Sequence, residues 1–133
     1  MNKTLGLRHL SLNVKSAKAS KEFYCDFFGM QVEWEPDSKN VFLTSGGEDN
    51  LALHERPEKL LDPKNQGLDH LGFIIETKEQ VDAFYKSAKE KSIPIAFELK
   101  QHRDGAYSFY LKDPDGYIVQ VIYHPPISEK SNK

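Results

Sequence analysis

At 133 residues the chain has the length of one compact domain, enough to bury a core but too short for two independent ones. Its 38% apolar and 29% charged residues exclude a disordered chain, and no apolar run approaches the length of a membrane span. With 18 basic and 20 acidic residues interspersed, for a formal charge of −2, no basic patch marks the chain for nucleic acid.

Residues 7–14 alternate, with Leu10, Leu12 and Val14 on one face and His9, Ser11 and Asn13 on the other, which predicts a half-buried strand. From Ser16 to Phe28 the spacing turns helical. Ser16 stands at the N-cap, Phe23/Phe27 and Tyr24/Phe28 pair at i, i+4, and Gly29 is placed to end the helix. Met30–Glu35, Asn40–Ser45 and Asn50–Glu55 are short runs of strand formers, separated by turn signals at Pro36-Asp37-Ser38 and Gly46-Gly47. A polar stretch with two prolines, residues 56–66, reads as a linker. A second strand follows over Leu68–Ile75, then a helix opened by the capping box Thr77-Lys78-Glu79-Gln80, with Val81, Phe84, Tyr85 and Ala88 inward. Three more strands are predicted at Ser92–Leu99, Gly105–Lys112 and Tyr117–Tyr123, the last two joined by the turn Asp113-Pro114-Asp115-Gly116. After Pro125-Pro126 the polar residues 127–133 are expected to fray.

The chain repeats itself. Gly6-Leu7-Arg8-His9-Leu10 returns as Gly67-Leu68-Asp69-His70-Leu71, and at the same offset Phe23-Tyr24 returns as Phe84-Tyr85. The pattern therefore predicts an α+β protein made of two βαβββ modules, 6–55 and 67–124, within a single domain with a shared core, followed by a polar tail at 125–133.

Strand alternation turns His9 and His70 away from the apolar side of their strands. The same rule puts Gln120 on the face opposite Val119 and Val121, level with Ala52 of the first module. Two imidazoles are good ligands for Zn, Fe, Ni or Mn, and an amide oxygen is a weaker third, so His9, His70 and Gln120 form a candidate metal set in one quasi-symmetric pocket. One strand histidine alone is more often a solvated residue, and it is the duplication that favours ligation.

Ser11 and Asn13 share the face of His9, and His54 shares that of Ala52, although His54, His102 and His124 lack repeat partners and read as surface or rim residues. Trp34, Tyr107 and Tyr110 are candidates to line the cavity, against the commoner use of strand aromatics as core. Arg103 is placed to clamp an anion, against the default of an exposed loop arginine. Cys25, the only cysteine, lies between aromatic residues of a helix and reads as an inert thiol; with no secretory signal, it suggests a cytoplasmic protein.

The paired Gly-Leu-x-His-Leu strands, the βαβββ repeat and the run Ser108-Phe109-Tyr110-Leu111-Lys112-Asp113-Pro114-Asp115-Gly116 resemble the vicinal-oxygen-chelate superfamily, which includes glyoxalase I, fosfomycin-modifying enzymes, extradiol dioxygenases and bleomycin-resistance proteins. The resemblance implies curved mixed sheets that enclose a cavity, a homodimer, a small-molecule substrate and a divalent metal. His9 and His70 match its histidine ligands and Gln120 the position usually held by glutamate, while Ala52 stands where glyoxalase I has a fourth ligand. Glutamine in place of glutamate leaves the ion one positive charge richer, which weakens its binding and strengthens its pull on a bound oxyanion. The implied activity is metal-dependent lyase, isomerase, thiol-transferase or dioxygenase chemistry. The alternative is a metal-free protein of the bleomycin-resistance type that sequesters a small molecule or antibiotic.

Overall fold

The two long helices each begin where a hydroxyl can take up an orphan backbone N–H. In the computed structural model, which describes residues 3–60, 62, 65 and 67–131, Ser16 Oγ accepts from Ala19 N at 3.1 Å and starts helix α1, Ala17–Phe28. Gly29 ends it at φ 71°, a left-handed conformation that costs glycine nothing. Thr77 and Gln80 form the reciprocal capping box of helix α2, Lys78–Glu90.

The chain divides into two compact units between Asp62 and Pro63. In the first, strands β1 (His9–Val14), β2 (Gln31–Asp37), β3 (Asn40–Thr44) and β4 (Asn50–Glu55) form one mixed sheet in the order β1-β4-β3-β2. β1 and β4 run parallel with Ser11 opposite Ala52, and the other pairs are antiparallel. Leu12, Val14, Val41, Leu43, Leu51 and Leu53 are buried, and α1, with Tyr24 fully enclosed, packs on β3 and β4. A single 3₁₀ turn, Pro57–Lys59, follows β4. Of the expected linker, residues 61, 63, 64 and 66 lie outside the described part, as do 132 and 133 of the tail.

The second unit repeats this plan. β5 (Leu71–Ile74), β6 (Ile95–Gln101), β7 (Tyr107–Lys112) and β8 (Ile118–Tyr123) form a sheet in the order β5-β8-β7-β6, with β5 parallel to β8 and Gly72 opposite Gln120. Phe109, Leu111, Val119 and Val121 are fully buried on the side covered by Val81 and Ala88 of α2. Asp113 Oδ1 accepts from the N–H groups of Asp115 and Tyr117, both at 2.9 Å, and Gly116 takes φ 87°, so the Asp-Pro-Asp-Gly turn closes as its residues predict.

Most boundaries shift by one or two residues, with β2 running on through Pro36 and Asp37 of the expected turn, and three departures are larger. β5 starts at Leu71, not Leu68, so His70 precedes the strand. β6 starts late because Ser92, at φ 56°, and Pro94 extend the turn that leaves α2. The described part of the tail is ordered: Pro125–Ser131 is a short helix, α3. Proline suits a helix's first position, and Ser128, 1% exposed, donates to Ile75 O at 2.7 Å and accepts from His124 N. That anchor ties α3 to the end of β5. No helix among the described residues is long and apolar enough to cross a membrane.

Candidate metal centre and substrate cavity

In the second unit, alternation leaves the side of β8 away from α2 to Ile118, Gln120 and Ile122, and register brings Tyr110 and Gly72 level with Gln120. His70 sits just before β5, and its Nδ1 contacts Asp69 Oδ2 at 2.6 Å. An ionised carboxylate only accepts, so Nδ1 carries a proton and the neutral ring keeps its lone pair on Nε2. The ring meets Tyr110 edge-on at 5.2 Å, and Tyr110 in turn meets Phe97. Burial, and to a lesser degree the Asp69 charge, push the Tyr110 phenol above its ordinary pKa, so it stays a proton donor.

Asp69, His70, Phe97, Tyr110 and Ile118 border a cavity of about 350 Å³, whose wall also includes Lys100, His102 and Ser108. Gln120 lies beside Ser108 and is 9% exposed; its Nε2 donates to Ser108 Oγ at 3.1 Å. Its Oε1 lies 3.8 Å from where a Cβ on Gly72 would be. Glu98, also at the cavity, is engaged by the Tyr85 hydroxyl and lies 3.9 Å from Lys89 Nζ.

The equivalent face of the first unit carries His9, Ser11 and Asn13 on β1 beside Asn50, Ala52 and His54 on β4. Asn50 Nδ2 donates to Glu33 Oε1 at 3.0 Å, which turns Asn50 Oδ1 toward His9 Nδ1, 2.8 Å away. Because a carboxylate accepts only, this chain fixes the amide and then the imidazole: His9 donates from Nδ1 and keeps its lone pair on Nε2. His54 is held the same way, by Asn40 Oδ1 at 2.6 Å, with Asn40 Nδ2 donating to Asp37. Burial, then the charges of Arg56 and His9, depress the His54 pKa against the opposing pull of Asp37. Trp34, 60% exposed, stacks on Phe42 at 5.1 Å, and Phe42 meets His54 edge-on.

None of the expected first-unit residues borders this cavity, and two further expected site residues lie off both open faces. Tyr107 is three positions from Tyr110 on one strand, so it points to the helix-covered side, where its hydroxyl donates to Asp82 of α2 at 2.5 Å. Arg103 is exposed in the turn between β6 and β7 and does not border the cavity.

Comparison with known proteins places these faces in context. Residues 6–121 match the family described as the Glyoxalase/Bleomycin resistance protein/Dioxygenase superfamily. The chain belongs to this superfamily. Within it, the chain is 31% identical to the metallothiol transferase FosB of Shouchella clausii, over 87% of this chain and 78% of that protein. It is 27% identical to the catechol-2,3-dioxygenase of Bacillus subtilis, over 90% of this chain but only 42% of the dioxygenase. Among solved structures, the lactoylglutathione lyase of Agrobacterium tumefaciens superposes with a TM-score of 0.72 at 25% identity, covering 89% of this chain and 92% of the lyase.

For a glyoxalase-superfamily chain, the test of a metal site is its donor set. Among the described residues no group of three or more His, Cys, Asp or Glu side chains is placed to hold an ion. An amide oxygen is outside that count, and His9 and His70 belong to different units. What fits a metal is the state of the donors: both imidazoles have Nδ1 engaged by an oxygen, the arrangement that orients metal-binding histidines elsewhere. The sequence reading missed the orienting residues Asn50 and Asp69, and it missed Ser108. Asp69 carried a signal in its place beside His70 in the repeat, and Ser108 in the Ser-Phe-Tyr run that it opens; Asn50 is recognisable only through the register of β1 with β4.

Proposed function

We propose that this superfamily member is a divalent-metal enzyme acting on a small molecule with two adjacent oxygens, with His9 Nε2, His70 Nε2 and Gln120 Oε1 as protein ligands. The observation that carries it is the matched Nδ1 anchoring of the two repeat histidines, which leaves Nε2 of each as a lone-pair donor. Similarity to proteins named as a metallothiol transferase, a catechol dioxygenase and a lactoylglutathione lyase supports it. A bound divalent cation supplies Lewis acidity toward the chelated oxygens and the oxyanion that develops on them. The chain's own residues orient the substrate. Tyr110, held as a phenol, donates a hydrogen bond to a substrate oxygen; Phe97 and the Tyr110 ring give an apolar wall; Lys100 favours negative charge.

The test is metal content after purification, compared with a His9→Ala/His70→Ala double variant. The native protein is expected to carry stoichiometric metal and the variant none; equal content in both sinks the proposal. A second reading, a metal-free binding protein, is favoured by the neutrality of Gln120 and Ala52. It requires that ligand affinity survive chelator treatment.

A further inference from the structure

Glutamine has two chemically different ends, whereas the glutamate that the superfamily resemblance puts at this position presents an oxygen either way up. A cation beside a glutamine meets a ligand in one amide orientation and a repelling NH₂ in the other. Something must choose.

We infer that Ser108, backed by His102, is the positioning residue that turns the Gln120 amide oxygen toward the metal; this rests on the metal-site reading above. Ser108 Oγ lies 3.1 Å from Gln120 Nε2 on one side and 3.1 Å from His102 Nε2 on the other. The hydroxyl has a single proton. With the amide N–H as its donor, Ser108 gives that proton to His102 Nε2, and the row runs one way from Gln120 to His102. Reversing the amide would leave Ser108 to donate to Oε1 and His102 to donate to Ser108, so the imidazole tautomer and the amide orientation are locked together. Ser108 is 1% and Gln120 9% exposed, so water does not substitute freely for the bond between them.

Two further observations agree. Gly72 faces Gln120 across the β5–β8 pair, and its missing side chain keeps open the space next to Oε1. The first unit has no such row. There Ala52 stands level with Phe42 as Gln120 does with Tyr110, and Asn40, at the position matching Ser108, is spent on His54. The row occurs only where there is an amide to orient.

The experiment is a double-mutant cycle read as Zn²⁺ affinity by competition with a chromophoric chelator, on native protein, Ser108→Ala, Gln120→Glu and the combination, each checked for native circular dichroism. Ser108→Ala is expected to weaken Zn²⁺ binding about 10-fold or more in the native background, as removing an outer partner of a metal ligand does. In the Gln120→Glu background the same change is expected to have less than about 3-fold effect, because a carboxylate needs no orienting. Ser108→Cys, close to isosteric and a poor acceptor, serves if Ser108→Ala does not fold, with a loss in the same direction. Equal losses in both backgrounds make Ser108 a packing residue and overturn the inference, as does no loss in either. Native protein that binds Zn²⁺ no better than His9→Ala/His70→Ala removes the metal reading itself, and the inference with it.

Discussion

The first unit and the second are the same fold bearing different faces. In both, a helix covers one side of a four-stranded mixed sheet, a histidine stands at the start of the strand that runs parallel to the last, and an oxygen holds that histidine's Nδ1. Past that point they diverge. The oxygen is a neutral amide across the sheet for His9 and a carboxylate next in sequence for His70. The level pair Ser11 and Ala52 becomes Gly72 and Gln120, and Phe42 becomes Tyr110. The covered side stays apolar at matching positions while the residues change: Leu43 lies opposite Leu51 as Leu111 lies opposite Val119, and Phe109 stands where the first unit has Val41. Packing has kept that side apolar, whereas the open face has been free to specialise.

The strongest challenge to that symmetry is to the kept side. Leu43 and Leu111 are both fully buried at matching positions, so Leu43→Ala and Leu111→Ala are each expected to cost about 2–5 kcal/mol in denaturant unfolding. A loss below about 1 kcal/mol at one of them breaks the equivalence of the two cores. Next are the two anchors. Asp69→Ala and Asn50→Ala are each expected to weaken divalent-metal binding about 10- to 100-fold by isothermal titration. If either leaves affinity unchanged, its histidine is not oriented for a metal.

The caps and turns were legible in the sequence because their partners are two to four residues away: Ser16, Thr77 and the Asp113–Gly116 turn hold as predicted. So was the shared face of His70, Gly72 and Gln120, which needs only a period of two. Helix α3 was not, since its anchor on Ile75 comes from 53 residues away. The Asn50 anchor was hidden for the same reason, being 41 residues from His9. Tyr107 was misplaced because aromatic type was given more weight than strand parity, which sends it toward α2.

Tyr107 gives the smallest expected effect and tests a contact with no counterpart in the first unit. The hydrogen bond to Asp82, then burial and the Asp82 charge, raise its pKa from 10.0 to about 12. A folded-state pKa raised above the unfolded one means stability that is full below pH 10 and is lost as pH rises through about 12. Tyr107→Phe is therefore expected to flatten the fall in melting temperature over that alkaline window; an unchanged profile removes the contact's contribution.

The glycine at 72 bears on how closely two strands can approach at such a face. A Cβ there would lie 3.3 Å from the Gln120 backbone oxygen, but 3.4 Å from Gln120 Cβ and 3.8 Å from Oε1, which are ordinary packing distances. The first unit has Ser11 and Ala52, a small side chain on each, at the matching pair. A side chain at 72 would therefore press on the backbone of β8 before it crowded the amide. Gly72 sets the spacing of two strands as much as it clears the ground in front of them.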